Sequence, residues 1–444
     1  MEQTNTDVLI IGFGKGGKTL AGYLGKRGIE TVLVEQSEKM YGGTCINIGC
    51  IPTKALVVQA ERHTPYASAV AAKDALTGFL RGKNYDALAG LASVRVVTGK
   101  ASFLDANRVQ VSRPDAPDVL IQARRICINT GTVPVIPGIP GLERSSRLYS
   151  STTLMDEKVL PPTLVIIGGG FISLEYASMY AQYGARVTML ESAPAFLPRE
   201  DQDVAAEVEK VLAQKGIELL TGAAVTRIEP GGETDRVVFE RAGRQASVGA
   251  HAILAATGRQ AYTEGLNLAA AGVLTDAKGF IPVNERLQTN QPHIWAVGDI
   301  NGGPQFTYIS LDDYRIIRDQ WHGTGERQRT DRQNVPFCVF ISPPFAHVGL
   351  REKEAVAAGL PVRIAKIPPG VVPRTRILGE TQGMLKAIIH RETDQILGFT
   401  LFCAEAQEMI NTVRMAMNAG MTFTQLKDQI YTHPSMTEAF NYFD

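Results

Sequence analysis

Short apolar runs, rich in β-branched residues and ending at glycines, recur along this chain. Val8-Leu-Ile-Ile11 enters Gly12-Phe-Gly14-Lys-Gly-Gly17, and an Ala/Leu-containing stretch of helical character follows. A run without polar alternation reads as a strand buried on both faces. Val32-Leu-Val34 supplies a second strand and ends in Glu35. The same order returns at Leu164-Val-Ile-Ile167, Gly168-Gly-Gly170-Phe-Ile-Ser173 and Val187-Thr-Met-Leu190, which ends in Glu191. In both copies the acidic residue stands 23 positions after the first glycine. Ile126-Cys-Ile-Asn-Thr130-Gly131 closes the first unit, and Ile253-Leu-Ala-Ala-Thr257-Gly258-Arg259 closes the second in the same way.

Strand, glycine turn, helix and a second strand with a terminal carboxylate form a dinucleotide-binding unit. The first glycine makes the tight turn, the second lets backbone approach a pyrophosphate, and the third allows helix and strand to pack closely. Glu35 and Glu191 are placed to bind ribose hydroxyls. Two matched units predict two bound dinucleotides. Ser173 stands where the second copy would carry its third glycine, which predicts a small displacement with binding kept. Glu191 favours NADH, because a 2′-phosphate beside a carboxylate is repelled. Ser192 brings no positive charge and Arg199 is the nearest downstream cation, so NADPH is disfavoured without being excluded.

Between the copies, strand-like runs over 95–111 and 119–128, with Pro114 and Pro117 between them, predict an inserted β-meander. Ile294-Trp-Ala-Val-Gly298-Asp299 is a further strand with a carboxylate at its end. The last hundred or so residues change character. Strands over 335–341, 383–389 and 398–403, and a helix over 404–420 with Met409, Val413 and Met417 on one face, predict an α+β domain. The methionines read as core or subunit contact.

The chain has 444 residues, long for one core. Its 45 basic and 45 acidic residues leave no net field to favour nucleic acid or an acidic membrane surface. The polar start, Met1–Asp7, and the short run to Ile11 predict neither a signal peptide nor a membrane span. Five cysteines, an odd number, suit a cytoplasmic protein. Two of them, Cys45 and Cys50, lie in Gly42-Gly43-Thr44-Cys-Ile-Asn-Ile-Gly-Cys-Ile-Pro-Thr-Lys54, just beyond the first fingerprint. Closing so short a loop constrains little of the unfolded chain, so the pair suggests a redox disulfide fed by a flavin. If Cys50 begins a helix, with Pro52 tolerated in its first turn, its thiol is acidified by the helix N-terminus, and Lys54 lies one turn along the same face. Cys127, Cys338 and Cys403 lie in apolar runs and read as buried packing residues. No histidine pair has metal-ligand spacing, so no permanent metal site is expected, although soft thiolates at Cys45 and Cys50 suit a transient copper encounter.

Together, the fingerprint at Gly12–Glu35, the dithiol segment Gly42–Lys54, Gly168-Gly-Gly-Phe-Ile-Ser-Leu-Glu175, Ala256–Arg259, Gly298-Asp299 and His433-Pro-Ser-Met-Thr-Glu438 resemble the pyridine nucleotide-disulfide oxidoreductases over nearly the whole chain. This is the group of lipoamide dehydrogenase, glutathione reductase and mercuric reductase. The resemblance implies two Rossmann-like α/β domains, for FAD and NAD(P)H, and a C-terminal α+β domain that builds a homodimer. The expected divisions are 1–150 and 266–332 for FAD, 151–265 for NAD(P)H and 333–444 for the interface. Beyond the glycines and acidic residues already named, it places Gly43, Thr44, Lys54, Thr130, Gly131, Gly258, Arg259 and Asp299 at the cofactors. It makes Cys50 the flavin-side thiol, Cys45 the interchange thiol, Lys54 and Glu175 a pair beside the flavin, and His433 with Glu438 a base and its orienter, working in the partner's site.

Asn301–Arg315, Asn334–Phe340 and the His-Pro-Ser-Met ending are similar to a narrower branch, bacterial reactive-chlorine-resistance flavoproteins regarded as copper(II) reductases. The expected enzyme therefore passes electrons from NADH through FAD and the dithiol to a small oxidant, with Cu(II) first among candidates, in oxidative and reactive-chlorine stress defence. A C-terminal cysteine pair like that of mercuric reductase does not occur at Asn441–Asp444, which weakens mercury as substrate. Dihydrolipoamide dehydrogenase is the nearest alternative, with serine in place of its usual threonine at position 435. A non-enzymatic redox sensor would have no use for the Lys54, Glu175 and His433–Glu438 equipment.

Overall fold

The computed structural model describes residues 2–444, and the chain divides into two compact units. The first gathers Met1–Leu56, Ser68–Val135 and Gly258–Asp331. Its elements are β1 (Glu2–Ile11), α1 (Lys15–Gly25), β2 (Thr31–Glu35), α2 (Thr44–Asn47), α3 (Cys50–Glu61), α4 (Tyr66–Ala89), β3 (Val94–Thr98), β4 (Lys100–Phe103), β5 (Arg108–Ser112) and β6 (Val119–Ile128), with helices α3 and α4 running on beyond the unit's limits. The strands form one sheet in the order β3-β2-β1-β6-β5-β4, and strand Ile294–Ala296 pairs with β6. Pairing is parallel from β3 to β6 and along Ile294–Ala296, and antiparallel from β4 to β6.

The apolar run that begins the chain's pattern explains this placement. Val8 and Ile10 enter a core with Leu20 and Leu24 of α1, while Leu9 and Ile11 enter the opposite core with Val109, Ile121 and Ile126. Both faces of β1 are covered, as a parallel strand requires. The register sets Ile11 beside Val34 on one side and Ile128 on the other, so the glycine turn, Glu35 and Thr130-Gly131 all emerge at the carboxyl edge of the sheet. That edge is where α/β sheets bind ligands.

β1 starts at Glu2, earlier than its apolar run, because Glu2–Thr6 pair with β6 through backbone alone, whatever their side chains. The run over 95–111 is not a single meander either. Its first part, β3, joins the parallel sheet beside β2, burying Val94 and Val97, and only β4, β5 and β6 form the antiparallel insert.

The second unit gathers Val57–Ala67, Ile136–Thr257 and Arg332–Asp444. It holds a five-stranded parallel sheet, ordered Glu218–Thr221, Arg186–Glu191, Thr163–Ile167, Ala252–Ala255 and Leu148–Ser150, with helix α5 (Phe171–Gln182) following the second glycine turn. An antiparallel three-stranded sheet spans Ala223–Ala250. A second five-stranded sheet, all antiparallel, runs Phe337–Val339, Phe345–Gly349, Ile396–Phe402, Met384–His390 and Val362–Ile367. Helix Ala406–Asn418 contributes Met409 and Val413 to its core, whereas Met417 is only partly buried against it. Among the described residues, no helix is long and apolar enough to cross a membrane.

Candidate active site

Gly42 and Gly43 take left-handed φ of +94° and +79°, turning the chain into α2. A side chain there is excluded as well as strained: a Cβ on Gly43 would lie 2.7 Å from the Gly14 Cα. The dithiol turn thus lies against the first glycine loop. Cys45 follows Thr44 on α2, and Cys50 is the first residue of α3, as a thiol served by a helix N-terminus must be. Lys54 stands one turn further along α3. Of the two thiols, Cys45 is half-buried and Cys50 exposed. Hydrogen bonding with Cys50, then burial, push the Cys45 thiol up, while Thr307 and Lys18 push it down. The Cys50 sulfur is also 3.5 Å from the Thr307 hydroxyl.

Two side chains from α4 brace this turn. Arg81 donates to Asn47 Oδ1 at 2.8 Å, and Asn47 Nδ2 donates to the Tyr41 and Gly43 carbonyls, each at 2.9 Å. Asn84 Oδ1 accepts from the Lys18 ammonium at 2.7 Å, and the same ammonium reaches the Gly42 carbonyl at 3.0 Å.

The first glycine loop fits a pyrophosphate. Gly12 has φ +103°, and Cβ atoms on Gly12 and Gly14 would meet Asn129 at 2.4 Å. Asn129 is the organising residue: its Oδ1 accepts from Gly17 N–H at 2.9 Å and its Nδ2 donates to the Val297 carbonyl at 2.6 Å. Glu35 accepts from the Phe13 and Ser37 amides at 3.1 and 3.3 Å, and burial raises its pKa to about 6. A buried carboxylate with capacity to spare is suited to a ribose diol. The Thr130 hydroxyl is buried and without a partner, a second polar group awaiting a ligand. Gly131 has φ +69° and its carbonyl accepts from Tyr262 N–H. Arg259, next to Gly258, donates to the Thr132 hydroxyl and carbonyl at 2.8 and 2.6 Å, and that hydroxyl donates to Asp299 at 3.2 Å. Burial raises the Asp299 carboxyl, partly offset by Arg259. These residues fit FAD.

In the second unit, Gly168 has φ +113° and a Cβ there would be 2.6 Å from the Ala256 carbonyl. Gly170 precedes α5. Glu191 lies against Gly169 and accepts from Ala193 N–H at 2.7 Å. Ser173 is fully buried, and its hydroxyl has no partner. Glu175 accepts from Phe340 N–H at 2.9 Å. His433 Nδ1 and Glu438 Oε2 are 2.8 Å apart, the imidazole exposed and the carboxylate buried, so Glu438 orients the ring. Cys127 and Cys403 are buried, but Cys338, read as buried, is partly exposed on the short first strand of the last sheet.

The groupings that emerge are Cys45 with Cys50, Gly12–Gly17 with Gly43, Arg259 with Asp299, Gly168–Ser173 with Glu191, and His433 with Glu438. Lys18, Asn84, Arg81 and Asn129 were not assigned from sequence. Asn129 had the best signal, an asparagine inside an apolar strand end just before Thr130-Gly131. Asp201, Asp203 and Glu352 bring carboxylate oxygens within 4.8 Å of one another, but the buried Lys386 ammonium is bonded to all three and supplies the charge a metal ion would.

This combination of paired glycine cradles and dithiol defines a class. Residues 6–313 match the pyridine nucleotide-disulphide oxidoreductase family and residues 335–442 match its dimerisation domain, so the chain belongs to that family. Membership implies FAD, a nicotinamide cofactor and a homodimer. The chain is 45% identical over 433 residues to the probable pyridine nucleotide-disulfide oxidoreductase RclA of Escherichia coli, covering 98% of this chain and 97% of that protein. It is 32% identical to dihydrolipoyl dehydrogenase of Bacillus subtilis, covering 98% and 96%, and 32% identical to mercuric reductase of Lysinibacillus sphaericus, covering 99% and 82%. Among solved structures, the Cu(II) complex of the HOCl-induced flavoprotein disulfide reductase RclA from Escherichia coli superposes with a TM-score of 0.96 at 44% identity, covering 99% of this chain and 98% of that one.

Proposed function

We propose that this protein reduces a small oxidant, Cu(II) foremost, with electrons taken from NADH and delivered through Cys45 and Cys50, as part of defence against reactive chlorine and related oxidants. The observation that carries this is the pair of thiols held together on a braced turn against the first glycine loop. The copper complex and HOCl induction of the Escherichia coli relative support the choice of acceptor and setting. FAD, when bound, accepts hydride from the nicotinamide and passes two electrons on. This chain's residues do the rest. Asn129 and the glycine loop hold the pyrophosphate, Glu35 the ribose, and Lys54 places positive charge one turn from Cys50. Cys50, at a helix N-terminus, is the flavin-side sulfur, and Cys45 is the interchange sulfur. Two thiolates give one electron each to two Cu(II), forming the Cys45–Cys50 bond and two Cu(I). His433, oriented by Glu438, takes or returns the thiol proton.

The test is an anaerobic acceptor panel. NADH with Cu(II) should yield two Cu(I), trapped by a Cu(I)-specific chelator, for each NADH consumed. Dihydrolipoamide oxidation by NAD faster than Cu(II) reduction would replace this reading with dihydrolipoamide dehydrogenase.

NADH preference rests on Glu191, whose carboxylate lies beside the second glycine loop, while Arg199 is exposed. Glu191→Ala should raise the NADPH-to-NADH ratio of kcat/KM by roughly tenfold, by removing repulsion of the 2′-phosphate. An unchanged ratio in steady-state kinetics would remove Glu191 from specificity.

A further inference from the structure

Helix α1 begins without a cap of its own. Gly14 stands at the N-cap and has no side chain to accept from the first-turn amides, a task that usually falls to that residue. Two side chains far along the chain take it over. Asn129 Oδ1 accepts from the Gly17 N–H at 2.9 Å, and Ser310 Oγ accepts from the Gly16 N–H at 2.9 Å. Gly16 and Gly17 are the second and third residues of the helix, whose amides an N-cap side chain would serve. Asn129 Nδ2 donates to the Val297 carbonyl at 2.6 Å, so the same buried carboxamide also ties α1 to the segment that leads into Gly298-Asp299.

The space this carboxamide fills is the space a side chain at Gly14 would need. A Cβ on Gly14 would have three Asn129 side-chain atoms as its nearest neighbours, at 2.4, 3.0 and 3.3 Å. The Gly14 backbone, with φ −64° and ψ 171°, is extended and open to any L-residue. Gly12 differs, because its φ of +103° itself calls for glycine. Gly17 differs too: its Cβ would meet Gly12 and Ile10 as well as Asn129, each at 2.9 Å. At Gly14 the Asn129 carboxamide stands nearest and is enough to exclude a methyl group.

We propose that Asn129 is a positioning residue for the FAD cradle: it caps α1 from a distant strand end, and its carboxamide, not the pyrophosphate, is what holds position 14 to glycine. The proposal rests on the reading of the first unit as the FAD site. It gives the second glycine of the fingerprint a different reason from close approach of a phosphate.

The test is FAD release from the holoenzyme on dilution, followed by the rise in free-flavin fluorescence, together with the FAD content of each variant as purified. Asn129→Ala leaves the Gly17 amide and the Val297 carbonyl without their partner and should speed release by about tenfold. Gly14→Ala drives its methyl into the carboxamide and should speed release at least as much. In the Asn129→Ala background that methyl has room, so adding Gly14→Ala should change release by less than about threefold, whereas independent sites would multiply. If Gly14→Ala retains no FAD, recovery of FAD content in the double variant gives the same support. Asn129→Ser, which also vacates the carboxamide's place, serves in the same comparison should Asn129→Ala not fold. A double variant that shows the product of the two single effects, or holds as little FAD as Gly14→Ala, would overturn the proposal, and so would Gly14→Ala with wild-type release. Wild-type protein purified without flavin absorbance would refute the FAD reading itself and the proposal with it.

Discussion

Cys45→Ser and Cys50→Ser should each lower acceptor reduction by on the order of 100-fold or more, while differing in the flavin spectrum. Residues that act as one unit fail together, because neither sulfur can form the bond alone. Their positions differ, however. Cys50 opens α3, where the unpaired amides of the first turn stabilise a thiolate. Cys45 lies on the short α2, and its proton is held by hydrogen bonding with Cys50 and by burial. The lone thiolate of Cys45→Ser should therefore show long-wavelength charge-transfer absorbance with oxidised flavin before any reductant is added. Cys50→Ser should show none. Direct oxygen reduction can persist in both variants, so the assay is run anaerobically. Full acceptor turnover in either variant would refute the dithiol route, and absorbance in Cys50→Ser alone would exchange the two roles.

The parts of this site legible in the sequence are those whose chemistry is local. A glycine turn, its strand and its ribose carboxylate fall within a few dozen residues, and each glycine is required by a close approach, such as Gly12 on Asn129 or Gly168 on Ala256. His433 and Glu438 are five apart. The residues that brace the site are distant in sequence. Gly17 and Asn129 are separated by 112 positions, and Lys18 and Asn84 by 66. Nothing in a lysine within a glycine loop indicates that it crosses to another segment. Helix α4, which carries Asn84 and Arg81, was itself hidden: its alanines and scattered polar residues give no apolar stripe, and it forms from helix propensity and local burial at Ala69, Val70 and Leu88. Ser173 shows the opposite case. Its departure from glycine was visible, but its cost, a hydroxyl buried without a partner, emerges only from the packing around α5.

Lys386→Met should produce the largest loss of stability. Lys386 is fully buried on Met384–His390, the fourth strand of the last sheet, and bonds Asp201 at 3.0 Å, Asp203 at 2.9 Å and Glu352 at 2.7 Å. Lys366 pairs with Asp203, and Arg351 with Glu200 at 2.8 Å, extending the network. Burial raises the Asp201 and Asp203 carboxyls, but hydrogen bonds outweigh it: Lys386 and the Lys353 and Glu352 amides at Asp201, and Lys366 and Lys386 at Asp203, so both end below their ordinary values. Forming such a network from solvated ions gains little, whereas removing its central cation leaves clustered carboxylates uncompensated, at about 3–5 kcal/mol. The melting temperature of the FAD-loaded enzyme at pH 7 should fall by on the order of 10 °C. The pH dependence has a definite sign. A carboxyl depressed by folding contributes stability above its unfolded pKa, near 4, and loses it as pH falls through the folded value. The gap between wild type and Lys386→Met should therefore be full at neutral pH and narrow in acid. Adding Asp201→Asn to Lys386→Met should recover part of the loss, because it removes the most buried of the stranded charges. Equal melting temperatures for wild type and Lys386→Met, read by release of flavin fluorescence, would show that Lys366 and Lys353 suffice to balance the cluster.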